Sequence, residues 1–140
     1  MDRLKILQLA NAVTKNTLME TLGIVYTDVG EDFLVATMPV TPKIHQPMGL
    51  LHGGATVALA ESVGSTASHL FIDVKEFEIR GIEITANHLK SVSSGVVTAT
   101  ASALHKGRTT HLWKIEVRDE NENLISFCKL TNIVLPKIKK

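Results

Sequence analysis

One carboxylate stands alone in the middle of this sequence. Between Lys43 and Asp73 the only formally charged residue is Glu61, and the run GGATVALAESVGSTASHL around it is almost entirely Ala, Val, Leu, Gly, Ser and Thr. A carboxylate on so apolar an element must be paired, hydrogen-bonded or protonated, and desolvation favours its neutral form, the direction wanted of a general base near neutral pH. Its neighbours at helical spacing are Val57, Ala58, Gly64 and Ser65, a mostly small face that leaves room for a ligand or another backbone. The plain alternative is a solvent-facing stripe, but no second charge accompanies Glu61 to make one.

Just upstream runs His45-Gln46-Pro47-Met48-Gly49-Leu50-Leu51-His52-Gly53-Gly54, a turn-rich approach to a helix N-terminus. Such a terminus offers unpaired N–H groups. At Gly53 and Gly54 no side chain blocks an oxygen that becomes negative during a reaction, and the helix dipole reinforces the attraction. The same glycines serve close helix packing equally well. His52 is placed to hydrogen-bond at this entrance or to cap the helix, and Gln46 carries the same ambiguity. What raises the set is its convergence: an oxyanion-donor site, a neutral polar amide and a buried carboxylate, one helix apart. Lys90, Lys106 and Arg108 lie near strand ends, where they suit either phosphates or plain solvation.

The elements that must hold these groups are legible in the periodicity. Leu4, Leu7, Leu9, Ala12 or Val13, Leu18 and Leu22 predict short amphipathic helices over residues 1–21, packed across the outside of the core. GIVYTDVG and DFLVATMPV, split by Gly30-Glu31, predict an antiparallel hairpin, and TPKIHQPMG a loop with neither ladder nor helix. Gly53 to about Leu70 predicts one long central helix. IRGIEITANHLKSV, GVVTATASALHKG, THLWKIEVRDENE and NLISFCKLTNIVL alternate as four strands in series, predicting a four-strand meander. The class is α+β, a curved antiparallel sheet wrapped around one apolar helix. At 140 residues, residues 1–140 read as a single domain.

The string HQPMGLLHGGATVALAESVGS resembles the signature of hotdog-fold acyl-CoA thioesterases, in the group of the phenylacetate-pathway, 4-hydroxybenzoyl-CoA and 1,4-dihydroxy-2-naphthoyl-CoA enzymes. GIEITANHLKS, ALHKGR, THLWKIEVRDE and KLTNIVL resemble the successive strands of that family, so the resemblance covers roughly residues 20 to 136. It implies that Glu61 acts as nucleophile or general base and that the Gly53 N–H polarises the thioester carbonyl. Gln46 and His52 match polar residues around that carbonyl and the attacking water, and Ser65 matches a hydroxyl that helps place water. Gly81 and the run His88, Leu89, Lys90, Ser91 match a strand region that touches coenzyme A, as does the turn His105, Lys106, Gly107, Arg108, Thr109, Thr110. The family packs two subunits with central helices side by side, each active site drawing residues from both. That implies at least a homodimer, with a homotetramer common. Within the family an aromatic acyl-CoA stands ahead of a medium-chain one.

Other chemistries find little support. GxxxxGK[ST], HExxH, CxxC and GxSxG are absent, and none of the six histidines is spaced i, i+4 from another, so no metal is expected and no cofactor beyond the coenzyme A of the substrate. A net charge of +1 and 4% aromatic residues argue against nucleic acid. Glu61 and the glycines and histidines around it make 44–72 a poor membrane span, Lys5, Lys15 and Glu20 interrupt any secretory leader, and the single cysteine, Cys128, fits a reducing compartment, so a cytoplasmic location is expected. The basic tail PKIKK reads as a frayed end. The competing functions are an acyl-CoA binding module without turnover and a hotdog dehydratase.

Overall fold

The computed structural model describes residues 1–138, so the last two residues of the PKIKK tail lie outside the described residues. Two short helices, α1 (Arg3–Ala12) and α2 (Leu18–Leu22), precede the hairpin β1 (Val25–Val29) and β2 (Phe33–Pro39). Then come the long helix α3 (Gly53–His69) and four strands, β3 (Phe77–His88), β4 (Val96–Lys106), β5 (Thr110–Arg118) and β6 (Leu124–Pro136). The strands form one six-stranded sheet in the order β1-β2-β4-β5-β6-β3, every adjacent pair antiparallel. This is the α+β hotdog arrangement that the sequence implied.

Alternation selects the face on which α3 lies. Leu34, Ala36 and Met38 on β2, Val97, Ala99 and Ala101 on β4, and Trp113, Ile115 and Val117 on β5 are all fully buried at spacing two. Against them α3 buries Thr56, Leu59, Ala60, Val63, Gly64, Ala67 and Ser68, the three- and four-residue spacing of one helical face. Gly64 lets helix and sheet approach, because a Cβ there would stand 2.6 Å from Leu130 Cδ2. Among the described residues no helix is long and apolar enough to cross a membrane.

Three expectations are corrected. β3 does not open a meander: it lies at the sheet edge beside β6, while β4 pairs with β2. A hairpin turn fixes its partner strand only when the loop is short. Here residues 89–95 form a seven-residue connection that reaches roughly 23 Å when extended, enough to cross the three interstrand steps, about 14 Å, that separate β3 from β4. The loop before α3 is also more ordered than predicted. It holds a 3₁₀ turn at Pro42–Ile44 and a small hairpin closed by the His45–Leu51 bridge, in which Gly49 N–H donates to Gln46 O at 3.0 Å and Gln46 N–H to Leu50 O at 2.8 Å. Gly49 takes φ +78° with nothing near a would-be Cβ, so backbone conformation alone requires glycine there. In the N-terminal segment, Ile6, Leu7, Ala10 and Leu22 pack on the core, whereas Leu4, Leu9, Val13 and Leu18 face outward.

Candidate active site

The start of α3 is built to leave one donor free. His52 is the N-cap: its Nδ1 accepts from Gly54 N–H at 2.8 Å and its carbonyl accepts from Ala55 and Thr56 at 3.0 and 3.2 Å. Because Nδ1 accepts, the neutral His52 ring carries its proton on Nε2. Gly53 N–H alone of the first-turn donors has no partner among the described residues.

That free N–H borders a cleft of about 270 Å³ lined by Gln46, Leu50, Leu51, Gly53, Thr56 and His88, with Leu89 to Val92, Ile125 and Ser126 completing it. Gln46 reaches the cleft from the small hairpin, its Oε1 accepting from Met48 N–H. His88 sits over Gly53, so close that a Cβ on Gly53 would lie 2.8 Å from its Nε2, while its Nδ1 is hydrogen-bonded to Ser126 Oγ at 2.7 Å. The expected set Gln46, Gly53, His88, Leu89, Lys90 and Ser91 is therefore brought together in one place.

Glu61 is somewhere else. It lies on the uncovered side of α3, exposed rather than buried as its apolar sequence context had suggested, in a separate hollow with Leu18, Gly54, Val57, Ala58, Ser62 and Ser65. Ser65 is thus beside it, as expected. The apolar run misled because the half of α3 opposite the sheet is small and apolar without being covered by the same chain. Glu61 follows Gly53 by eight residues, about 12 Å along the axis at 1.5 Å per residue, more than a glutamate side chain spans. One chain therefore holds two separate features, a cleft with a free N–H and a carboxylate, and does not join them.

Gly81 lies against Glu61: a Cβ there would stand 3.5 Å from Glu61 Oε2. The turn from His105 to Thr110 borders neither feature. It is a tight hairpin in which Gly107 N–H donates to Thr110 O at 2.8 Å. Lys106 is already engaged, with Asp32 at 2.7 Å and the Phe71 ring centroid at 3.8 Å, and Arg108 is exposed.

Sequence reasoning missed a buried polar cluster behind Glu61. Ser68 Oγ accepts from Trp113 Nε1 at 2.8 Å and from Asn132 Nδ2 at 2.7 Å, and so turns its own hydrogen to His111 Nδ1 at 2.9 Å. His111 is thereby held as the neutral ring, and its burial, the largest influence, also pushes its pKa down from the ordinary histidine value. The signal was present in KLTNIVL, where Asn132 takes an inward position between Leu130 and Val134. Thr56 and Ser126, buried in the cleft wall, were missed too.

Comparison with known proteins agrees with this architecture. Residues 48–126 match the family described as the thioesterase superfamily. The chain is 43% identical over 129 residues to the proofreading thioesterase EntH of Cronobacter sakazakii, covering 92% of this chain and 93% of that one. Among solved structures it is similar to a mutant of thioesterase PA1618 from Pseudomonas aeruginosa, with a TM-score of 0.92, 44% identity and 94% of each chain covered. It is likewise similar to thioesterase HI1161 of Haemophilus influenzae, with a TM-score of 0.91, 40% identity, and 95% of this chain and 92% of that one covered.

Proposed function

The chain belongs to the thioesterase superfamily, whose chemistry is thioester hydrolysis, and on that premise we propose that it cleaves an aromatic or medium-chain acyl-CoA to the free acid and coenzyme A. The unpaired Gly53 N–H at the head of α3, opening into a cleft beside Gln46 and His88, carries this reading. A thioester oxygen seated there gains charge as water adds to the carbonyl carbon, and a fixed donor at a helix N-terminus stabilises that charge without reorganising. Leu50, Leu51, Leu89, Val92 and Ile125 give the cleft an apolar wall, and Lys90 supplies a cation at the same cleft for a coenzyme A phosphate.

The base comes from a second copy. If two α3 helices pack antiparallel about a twofold axis near Val57, Gly53 of one chain faces Glu61 of the partner subunit, and the reverse contact forms by symmetry. The small side chains around that axis, Val57 and Ala58, permit close approach, and neither hollow of one chain is complete alone, since the cleft holds Gly53 without Glu61 and the other hollow holds Glu61 without Gly53. In this assembly Glu61 takes a proton from water or attacks the carbonyl itself, and Ser65 stands a turn away to hold the water. A homodimer is the minimum catalytic unit, and dimers pair further into a tetramer.

A panel of aryl and aliphatic CoA esters, followed by release of free thiol, tests the reading. The expected result is turnover, with kcat/KM for the aryl esters highest by about one order of magnitude, the lower end of what a single methylene of pocket fit supplies. No thiol from any ester defeats it.

A further inference from the structure

Behind Glu61 lies an oxygen that no donor among the described residues reaches. Asn132 on β6 sits between His111 on β5 and Gly81 on β3 in the sheet register and is fully buried. Its amide orientation is determined: Nδ2 donates to Gly64 O at 3.2 Å and to Ser68 Oγ at 2.7 Å, and a flipped amide would set two carbonyl oxygens against each other. Both hydrogens are then used on α3, and Oδ1 has no partner among the described residues. It borders the space left by the missing side chain of Gly81, where a Cβ would stand 3.6 Å from Asn132 Oδ1 and 3.5 Å from Glu61 Oε2. A β-bulge between Gly81 and Glu83 disrupts the strand at the same point.

We propose that Asn132 is the positioning residue that makes Glu61 a general base, its Oδ1 accepting the hydrogen of the Glu61 carboxyl beside Gly81 once that carboxyl has taken a proton. The inference rests on the thioesterase reading above. An amide oxygen only accepts: it repels a carboxylate but bonds to an O–H. In the addition step the water oxygen bonds to the thioester carbon, the carbonyl electron pair moves to the oxygen held by Gly53 N–H, and the water proton passes to Glu61, whose new O–H turns to Asn132. On collapse the carbonyl re-forms, the C–S bond breaks, and the departing thiolate takes the proton from Glu61. Acid and thiol leave, and the carboxylate is restored. An anhydride formed on Glu61 would find no use for this acceptor, because the attacking carboxylate carries no hydrogen.

The titratable groups at this corner are few, and across the proposed twofold axis only His52 and His88, which flank Gly53, are added to them. His111 faces it from β5 as the neutral ring. His69, further along α3, turns its Nδ1 to Ser65 O. The lining of the Glu61 hollow, including Leu18 from α2, carries no other charge, and Arg80, Glu83 and Lys129 alternate to the opposite face of the sheet.

The test is the pH dependence of kcat for wild type, Asn132→Leu and Gly81→Val, with Trp113→Phe as control. Trp113→Phe damages the same Ser68 cluster from its other end and leaves Oδ1 in place. A Cβ at Gly81 meets both oxygens only at ordinary contact distances of 3.5 and 3.6 Å, and the position is exposed, so the strand accepts Gly81→Val while the branches beyond that Cβ push the Glu61 carboxyl away from Oδ1. In Asn132→Leu and Gly81→Val, kcat is expected to fall at least about tenfold at unchanged KM, and the acidic limb of the profile to move to lower pH, because the protonated carboxyl has lost its acceptor. Trp113→Phe should lose stability and keep the limb. If both variants stay within about twofold of Trp113→Phe with an unmoved limb, the inference is overturned while the thioesterase reading stands. Should Asn132→Leu fail to fold, Gly81→Val decides by the same criteria. A wild type that releases no thiol overturns the thioesterase reading and this inference with it.

Discussion

Glu61→Gln is expected to lower kcat/KM for thioester hydrolysis by about 10³-fold, roughly 4 kcal/mol of transition-state stabilisation, while affinity for an uncleaved CoA ester stays within a few-fold. The substitution keeps the shape and removes only the ability to take a proton or attack. Glu61 is exposed on α3 and belongs to no buried cluster in the single chain, so thermal stability should hardly move. Thiol release measured beside calorimetric binding separates hydrolysis from binding without turnover. A binding module loses nothing measurable in either assay, and a Glu61→Gln chain that still turns over within tenfold of wild type removes Glu61 from the mechanism.

The second large effect is expected at Gly53. Gly53→Val should lower kcat by about 10²–10³-fold, the range seen when one oxyanion donor is lost. The backbone N–H survives the change, but a Cβ at this position already meets His88 Nε2 at 2.8 Å. The branched side chain must therefore expel His88 from Ser126 and stand between the N–H and any ligand oxygen. The helix start should persist, because His52 still caps Gly54 and its carbonyl still holds Ala55 and Thr56. Gly53→Ala, able to shift one histidine ring aside, should fall in between. Circular dichroism and kinetics on the same preparations check both statements, and wild-type kcat in a folded Gly53→Val sinks the donor assignment.

How far the sequence foretold this molecule depends on the range of the interaction involved. The strand positions at 34, 36, 38 and at 97, 99, 101 alternate so strictly that burial and face could be read directly, and the α3 start was marked by Gly53-Gly54. Strand order was not, because the pairing of β3 with β6 is a long-range choice that Ser93-Ser94-Gly95 does not encode. That Gln46, Gly53, His88 and Lys90 belong together was expected from the family resemblance, and the loop and one strand end do bring them to a single cleft. The environment of Glu61 was not, since an apolar neighbourhood in sequence marks a face that something covers without saying which chain covers it. Asn132 was overlooked because a polar residue in an alternating strand draws notice only once its inward direction and the free oxygen are seen.

The claim that one active site is built from two chains is tested most directly by mixing the two inactive forms. Co-expressed in equal amounts, Glu61→Gln and Gly53→Val chains should form mixed dimers in about half of cases, each with one site that has both an intact Gly53 and an intact Glu61. The predicted result is about a quarter of wild-type thiol release from a mixture of chains that are separately inactive. A mixture as inactive as its parents would confine the site to a single chain and contradict the account.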